Sequence, residues 1–425
     1  MKTIGIDIGT SSISIVLVEE NKIIEEMTFP NKFLLSKYAY EQIQEAKTIA
    51  FLILNELENI FSKYNEIEAI GVTGQMHGIV YVGKGNKLYS PLYTWCDKRS
   101  NEQLDKDYSY LDYIKMKTNY DIAVGYGLGT HFYNVRNNLI KKKEYKILSI
   151  HGYIANLLGG VNYKDFVIHA SDAAGFGFYK IEENKFDIDA LKTLGINQEN
   201  LPKVVFGNEV IGKYKTANVY VALGDNQASY LGASSGQDVL LINIGTGAQV
   251  SMRTSKYYQV EGIETRPYLN NDYLLVGASI NGGIAYTKLA ELFQEISGLE
   301  LDEVYKKMET SKFDEDDELL FLPNFLGSRE DKNKKGSLIN ITLKNFRKDN
   351  LVVAMLKGIS SELYEYYKKI ALKIDSEYIY VASGNGIRKN KLFQKIITNI
   401  FGNKIILSEI KEEAAYGACL FTKIK

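Results

Sequence analysis

Two carboxylates carry the chemistry that this sequence suggests. Asp225 stands in "NVYVALGDNQASYLGASS", between a strand-like run and a small-residue helical one. A carboxylate at such a junction, with Gly224 beside it to admit a substrate, has the placement of a general base that takes a proton from a hydroxyl. The same position suits a helix N-cap, which Asp favours, and the spacing leaves both readings open. Asp7 lies within the apolar run of "IGIDIGTSSISIVLV", residues 4–18. Burying it there is costly unless it is paired, hydrogen-bonded or facing a metal. Beside a phosphate-binding turn it would suit Mg²⁺, which uses few carboxylates and completes its shell with waters and phosphate oxygens.

That turn occurs twice. "LLINIGTGAQVSMRT", residues 240–254, repeats the pattern with Asn243 where the first copy has Asp7. Gly-Thr followed by a small polar residue lets the backbone approach an anion and aims N–H groups and hydroxyls at it. Either copy alone also fits a plain hairpin turn. A polar cluster supplies a candidate pocket for a polyhydroxylated ligand: Gln75 and His77 in "GQMHG", then Trp95, Asp97 and Arg99 at alternate positions of "PLYTWCDKRS". If extended, the second stretch puts an aromatic plane, a carboxylate and a guanidinium on one face. "GIVYVGKG", residues 78–85, imitates a P-loop, but Gly85 stands where the metal-binding hydroxyl belongs and a turn follows where a helix is needed.

These groups require strands and helices to hold them. Strand–turn–strand patterns open the chain and recur at 238–253. The spacing predicts helices over 40–64, 283–296, 349–373 and 389–401, and strands at 273–279 and 377–382. Alternating β and α runs in 425 residues predict two α/β domains with mixed sheets, divided at 216/217. The repeated hairpin points to duplication.

Composition narrows the functions. With 51 Lys+Arg against 52 Asp+Glu the net charge is −1, which gives no electrostatic reason to expect nucleic acid. Two cysteines, Cys96 and Cys419, exclude a disulfide framework and predict a reducing, cytoplasmic setting. No signal peptide is read at the start, no run approaches the roughly 20 apolar residues of a membrane helix, and His and Cys show no zinc spacing.

The motifs together resemble the FGGY carbohydrate kinases of the actin-like ATPase superfamily. "IGIDIGTSS", "GVTGQMHG", "TWCDKRS", "LGDNQAS", "NIGTGAQ", "SINGG", "FLPNFLGSREDKNKKGSLINIT", "SGNGIRKNKLFQKIITNIFGNKI" and "EEAAYGACL" fall in the family's order. The resemblance implies two duplicated ribonuclease-H-like domains closing over a cleft, and ATP-dependent phosphorylation of a sugar or polyol hydroxyl. It implies Asp225 as the base, Asp7 with Asp225 toward Mg²⁺, and Gly9, Thr10, Ser11 and Ser12 near the phosphates. Gly245, Thr246, Gly247 and Gly282 would meet the nucleotide, Gly384 and Asn385 its adenosine side. Gln75, Met76, His77, Trp95, Asp97, Arg99 and Asn226 would face the sugar. "GYGLGTHFYN" and "HASDAAGFGFY" resemble the sedoheptulokinase branch, and His169 stands where xylulokinases usually show Asp, so the expected substrate is sedoheptulose, phosphorylated at its terminal primary hydroxyl. The alternatives are another ketose or polyol, or a non-catalytic sugar-binding ATPase. The expected partners are thus a small sugar and ATP, with neither nucleic acid nor membrane.

Overall fold

A computed structural model of the chain describes residues 2–329, 331–374 and 378–424. Residue 330, inside the charged stretch 328–337, and residue 377, the expected start of a strand, lie outside them. The chain forms two compact units: Met1–Gly236 with Pro267–Asn271 and Glu412–Lys425, and Gln237–Arg266 with Asp272–Lys411.

In the first unit, β1 (Lys2–Ile8), β2 (Ser12–Glu19) and β3 (Lys22–Pro30) form an antiparallel meander. Helix α1 (Ala46–Lys63) leads to β4 (Ile67–Gly74), which runs parallel to β1. Ile4, Ile6 and Ile8 of β1 and Ile15 and Leu17 of β2 are fully buried, as expected of central strands covered on both faces. Helix α1 begins at Ala46 and not at residue 40, because Ile43–Gln44 pairs with Leu92–Tyr93 and Glu45 caps the helix. The short helices that follow include α2 (Gly127–Arg136), α3 (Ile150–Leu158) and α4 (Ala170–Phe176). Next come β5 (Ala217–Tyr220), parallel to β4, and α5 (Asp225–Ala233).

The expected division at 216/217 therefore falls inside the first unit, because β5 is a member of its sheet. Residues 78–88 form a hairpin, Val80–Gly83 against Lys87–Leu88, with Gly85 at φ +70°.

The second unit repeats the plan. Strands β6 (Val239–Ile244), β7 (Ala248–Thr254) and β8 (Tyr273–Ser279) make an antiparallel meander. Helices α6 (Gly283–Ser297) and α7 (Lys348–Ala371) precede β9 (Ile379–Ser383), which is parallel to β6. Then come α8 (Lys391–Phe401) and β10 (Ile405–Leu407), parallel to β9. The core strand orders, β3–β2–β1–β4–β5 and β8–β7–β6–β9–β10, thus share one pattern of two antiparallel and two parallel pairings. Among the described residues no helix is long and apolar enough to cross a membrane.

The last helix, α9 (Glu413–Phe421), returns to the first unit and lies against its sheet and α5 at glycines. A Cβ on Gly5 would stand 1.9 Å from the Ala415 carbonyl oxygen, and one on Gly71 2.0 Å from that of Ala418. On the helix pair, a Cβ on Gly232 would meet the Glu413 oxygen at 1.9 Å, and one on Gly417 the Ala228 oxygen at 1.8 Å. Backbone atoms cannot yield as side-chain ends do. Gly232→Ala and Gly417→Ala should each lower stability by about 1–3 kcal/mol. Gly129→Ala, whose nearest neighbours are side-chain tips at 3.2 Å or more, should stay within about 1 kcal/mol of the parent. Chemical denaturation of the three variants decides this.

Candidate active site

The turn after β1 is held from behind. Asn31 Nδ2 donates to the Gly9 carbonyl at 2.8 Å, Gln44 Nε2 to that of Thr10 at 2.7 Å, and the Asn31 N–H to that of Ser11 at 2.8 Å. Gln75 Nε2 donates to Gln44 Oε1 at 2.8 Å, and the Gln75 N–H to the Ile8 carbonyl at 2.9 Å. With three successive carbonyls engaged, the backbone of the turn is fixed, while Ser11 is exposed and Gly9, Thr10 and Ser12 are half-buried. Gln75, expected to face a sugar, is buried and spends its amide on this support.

Asp7 sits at the end of β1, opposite Thr73 of β4. Its Oδ1 is buried and has no hydrogen-bond partner among the described residues. Burial, the neighbouring charge of Asp225 and that of Glu412 push its pKa up from 3.8 to about 7, against a smaller pull from His151. His151, on α3, is fully buried with Nε2 3.4 Å from Asp172 Oδ1. Burial drives its imidazole toward neutrality, but Asp172, then Asp225 and Asp7, outweigh this and raise its pKa.

A buried, unpartnered carboxylate oxygen beside further negative charge fits a divalent cation. Among the described residues no three His, Cys, Asp or Glu side chains make a metal cage. The donor set therefore fits Mg²⁺ that draws the rest of its shell from water and phosphate.

Asp225 is the first residue of α5, and Gly224 occupies the N-cap without a side-chain cap bond. The capping alternative is thereby corrected by one position: the backbone turns at Gly224, which leaves the half-buried Asp225 carboxylate off the cap. Asn226 Nδ2 donates to Asp225 Oδ1 at 3.0 Å and lies 3.9 Å from Met76 Sδ.

The same unit also carries the residues expected to meet a sugar. The His77 ring stacks on Tyr126, centroids 4.4 Å apart at 12°, and its Nδ1 lies 2.9 Å from the Gly175 carbonyl. Trp95 is nearly half exposed (48%), and its Nε1 donates to Thr10 Oγ1 at 2.8 Å. Asp97 and Arg99 do not share its face. A turn closed by the Asp97 N–H and the Thr94 carbonyl breaks the extended run and sends both side chains inward. Arg99 is buried, donating to Asp97 Oδ1 at 2.7 Å, to Asn134 Oδ1 at 2.8 Å and to Glu41 at 3.2 Å, with its guanidinium 4.2 Å from the Tyr93 ring centre. The pair supports the Trp95 loop from within.

The second unit carries its own pocket. Gly245–Gly247 turn between β6 and β7, and the first N–H groups of α6 meet them: Gly283 to Gly245 at 2.9 Å, Ile284 to Thr246 at 3.0 Å. Two further glycines permit the packing. A Cβ on Gly282 would lie 2.2 Å from the Gly247 oxygen, and Gly384, at φ +91°, passes the Ile244 carbonyl. A cavity of about 650 Å³ opens beside them, with Gly245, Thr246 and Asn385 in its lining. That volume suits a nucleoside. Tyr286 and Tyr305 add an aromatic wall, rings 6.0 Å apart, and Lys389 a cation. Sequence reading assigns none of these a role, nor Tyr126, Glu412 and His151: Tyr126, Glu412 and Lys389 stand inside recognised motifs whose individual side chains carry no chemical spacing of their own.

The chain is similar to known carbohydrate kinases. The model of the N-terminal domain of the FGGY family of carbohydrate kinases matches residues 2–232. Mouse (Mus musculus) sedoheptulokinase is 25% identical, over 98% of this chain and 96% of its own. Staphylococcus xylosus xylulose kinase is 24% identical over 98% and 89%, and Bacillus subtilis (strain 168) gluconokinase 23% over 98% and 86%. Among solved structures, gluconate kinase from Lactobacillus acidophilus superposes with TM-score 0.82 at 20% identity, covering 99% of this chain and 88% of that one. Plasmodium falciparum glycerol kinase with ADP gives 0.80, also at 20% identity and with the same coverage.

The raised pKa of Asp7 makes a stability prediction in metal-free buffer. The folded state holds the proton up to about pH 7 and the unfolded state only to about 3.8, so folding stability falls as pH rises between them and levels off above. Asp7→Asn, which mimics the protonated form, should equal the parent near pH 4 and exceed it above pH 7 by up to about 4 kcal/mol. Chemical denaturation in chelator across that range tests it, and a gap that does not change with pH contradicts it.

Proposed function

The chain belongs to the FGGY family of carbohydrate kinases, and on that premise we propose that it moves the γ-phosphoryl group of ATP to the terminal primary hydroxyl of a ketose, sedoheptulose, giving sedoheptulose 7-phosphate. The observation that carries this reading is Asp225, half-buried at the head of α5 and near enough to Asp7 to raise its pKa. Asp225 accepts the hydroxyl proton as the oxygen attacks phosphorus, and Asn226 orients its carboxylate. Asp7, with Asp225 nearby, would hold Mg²⁺, which would supply charge neutralisation on the phosphates. Gly9, Thr10, Ser11 and Ser12 contact phosphate, and Gly245, Thr246 and Gly247 contact the nucleotide from the second unit.

The second unit's cavity takes the adenosine beside Asn385. Trp95, His77, Met76 and Asn226 face the sugar, while Gln75, Asp97 and Arg99 fix the loops that present them. Sedoheptulose is favoured over other ketoses by the match to the mouse enzyme across nearly both whole chains and by Tyr126, which the "GYGLGTHFYN" motif brings onto His77.

ADP release with Mg-ATP should be fast with sedoheptulose and slower with D-xylulose, D-ribulose, gluconate, fructose and glycerol. Chelation of Mg²⁺ should stop it, and Asp225→Asn should lower kcat by at least about a hundredfold. Turnover confined to xylulose or gluconate would keep the chemistry and replace the substrate. ATP hydrolysis indifferent to every sugar would overturn the kinase assignment.

A further inference from the structure

His169, Ser171 and Gly224 form a hydrogen-bond chain that ends at the Leu223–Gly224 peptide, one residue short of Asp225, and all three residues are buried. The Gly224 N–H donates to Ser171 Oγ at 3.0 Å. Since that oxygen accepts, its own proton is free to go to His169 Nδ1 at 2.8 Å, which also accepts the Ser171 N–H at 3.1 Å. Nδ1 is then the unprotonated nitrogen, and Nε2 carries the proton toward the Phe206 carbonyl at 3.2 Å. Every donor meets an acceptor in one direction only, so the arrangement admits one tautomer.

Burial pulls the pKa of His169 down to about 4, which keeps the imidazole neutral at working pH. The chain is anchored at its far end as well. Phe206 also accepts the Asn270 N–H at 3.0 Å, and the same segment, through the Pro267 carbonyl, receives Gln227 Nε2 of α5 at 2.8 Å. Gly224 is thus fixed on one side by Ser171 and α5 on the other by Pro267, two residues beyond Asp225.

We propose that His169 and Ser171 act as positioning residues for phosphoryl transfer, setting the peptide plane at Gly224 and so the direction in which Asp225 enters the site. The proposal rests on the reading of Asp225 as the base. His169 then influences the reaction through Ser171 and not by touching a sugar, since its ring is fully buried and both nitrogens are engaged.

The test measures kcat and KM for sugar and ATP at a temperature where each variant is fully folded. Ser171→Ala leaves the Gly224 N–H without its acceptor, and kcat should fall about 10- to 100-fold with both KM values within about threefold. His169→Leu should do the same. His169→Asn, whose Oδ1 stands near the place of Nδ1 and still accepts from Ser171, should recover most of the loss. In an Asp225→Asn background, Ser171→Ala should cause no further drop in the residual rate. Wild-type kcat in Ser171→Ala, or a loss that appears in KM, overturns the relay alone. Full turnover by Asp225→Asn overturns the base assignment and the relay with it. A further drop in the Asp225→Asn background shows that Ser171 acts on something other than the base and also overturns the relay.

Discussion

The first unit depends on a backbone-to-backbone contact that only glycine permits. Helix α9 comes from the far end of the chain and rests on β1 at Gly5, on β4 at Gly71 and on α5 at the Gly232–Gly417 crossing. At all four points a Cβ would stand about 2 Å from a carbonyl oxygen. Three parts of the candidate site grow from these elements: Asp7 at the end of β1, Gln75 just after β4, and Asp225 at the head of α5. One helix therefore gauges the distances among them. Cys419 fits this role: its thiol is fully buried on α9 and donates to the Thr3 carbonyl at 3.6 Å, and burial raises its pKa, so it packs and does not react.

Charge is handled in two opposite ways within that unit. Arg99, Asp97 and Glu41 form a closed network in which the guanidinium satisfies two carboxylates, an amide oxygen and an aromatic face. Buried ions persist when matched in this way, and the result is a rigid support. Asp7 is the reverse case. It is held beside Asp225 and Glu412 with one oxygen unpartnered among the described residues, and its raised pKa records the mismatch. One buried cluster is thus neutralised within the fold, while the other is left without a compensating cation among the residues that shift Asp7 most. The contrast separates a matched ion network from an unmatched carboxylate, though both stand in motifs of similar appearance.

What the sequence made legible follows the range of each interaction. The hairpin at residues 4–18, its repeat at 240–254 and the strand-to-helix junction at Asp225 are local patterns, and the structure contains all three. Failures came where a distant partner decides. Residues 43–44 leave the helical pattern because Leu92–Tyr93 pair with them, and Gln44 then serves the Thr10 carbonyl. Trp95, Asp97 and Arg99 alternate in sequence, yet a turn of backbone separates the exposed indole from the buried ion pair. Tyr126 stands in a recognised motif, but the motif does not say what its ring meets. Its place on His77 comes from the turn at Gly125 (φ +85°), where a Cβ would strike the Trp95 carbonyl oxygen at 1.8 Å.

The two hairpins show how a duplicated element can differ at one position. Both place a polar residue on the strand before Ile-Gly-Thr, and in both the strand pairs antiparallel to its successor and parallel to a later one. In the second copy Asn243 is satisfied, its Nδ2 donating to Ser383 Oγ at 2.7 Å on the parallel neighbour β9. The equivalent neighbour of Asp7 is Thr73, and the Asp7 Oδ1 is left without a hydrogen bond there. An amide tied to its own sheet is neutral and inert, so the second turn offers an anion only backbone and hydroxyl groups. The first copy instead keeps a carboxylate there, with a buried oxygen of the kind that fits a cation. A single exchange of Asp for Asn at equivalent positions is thus enough to make the two copies different.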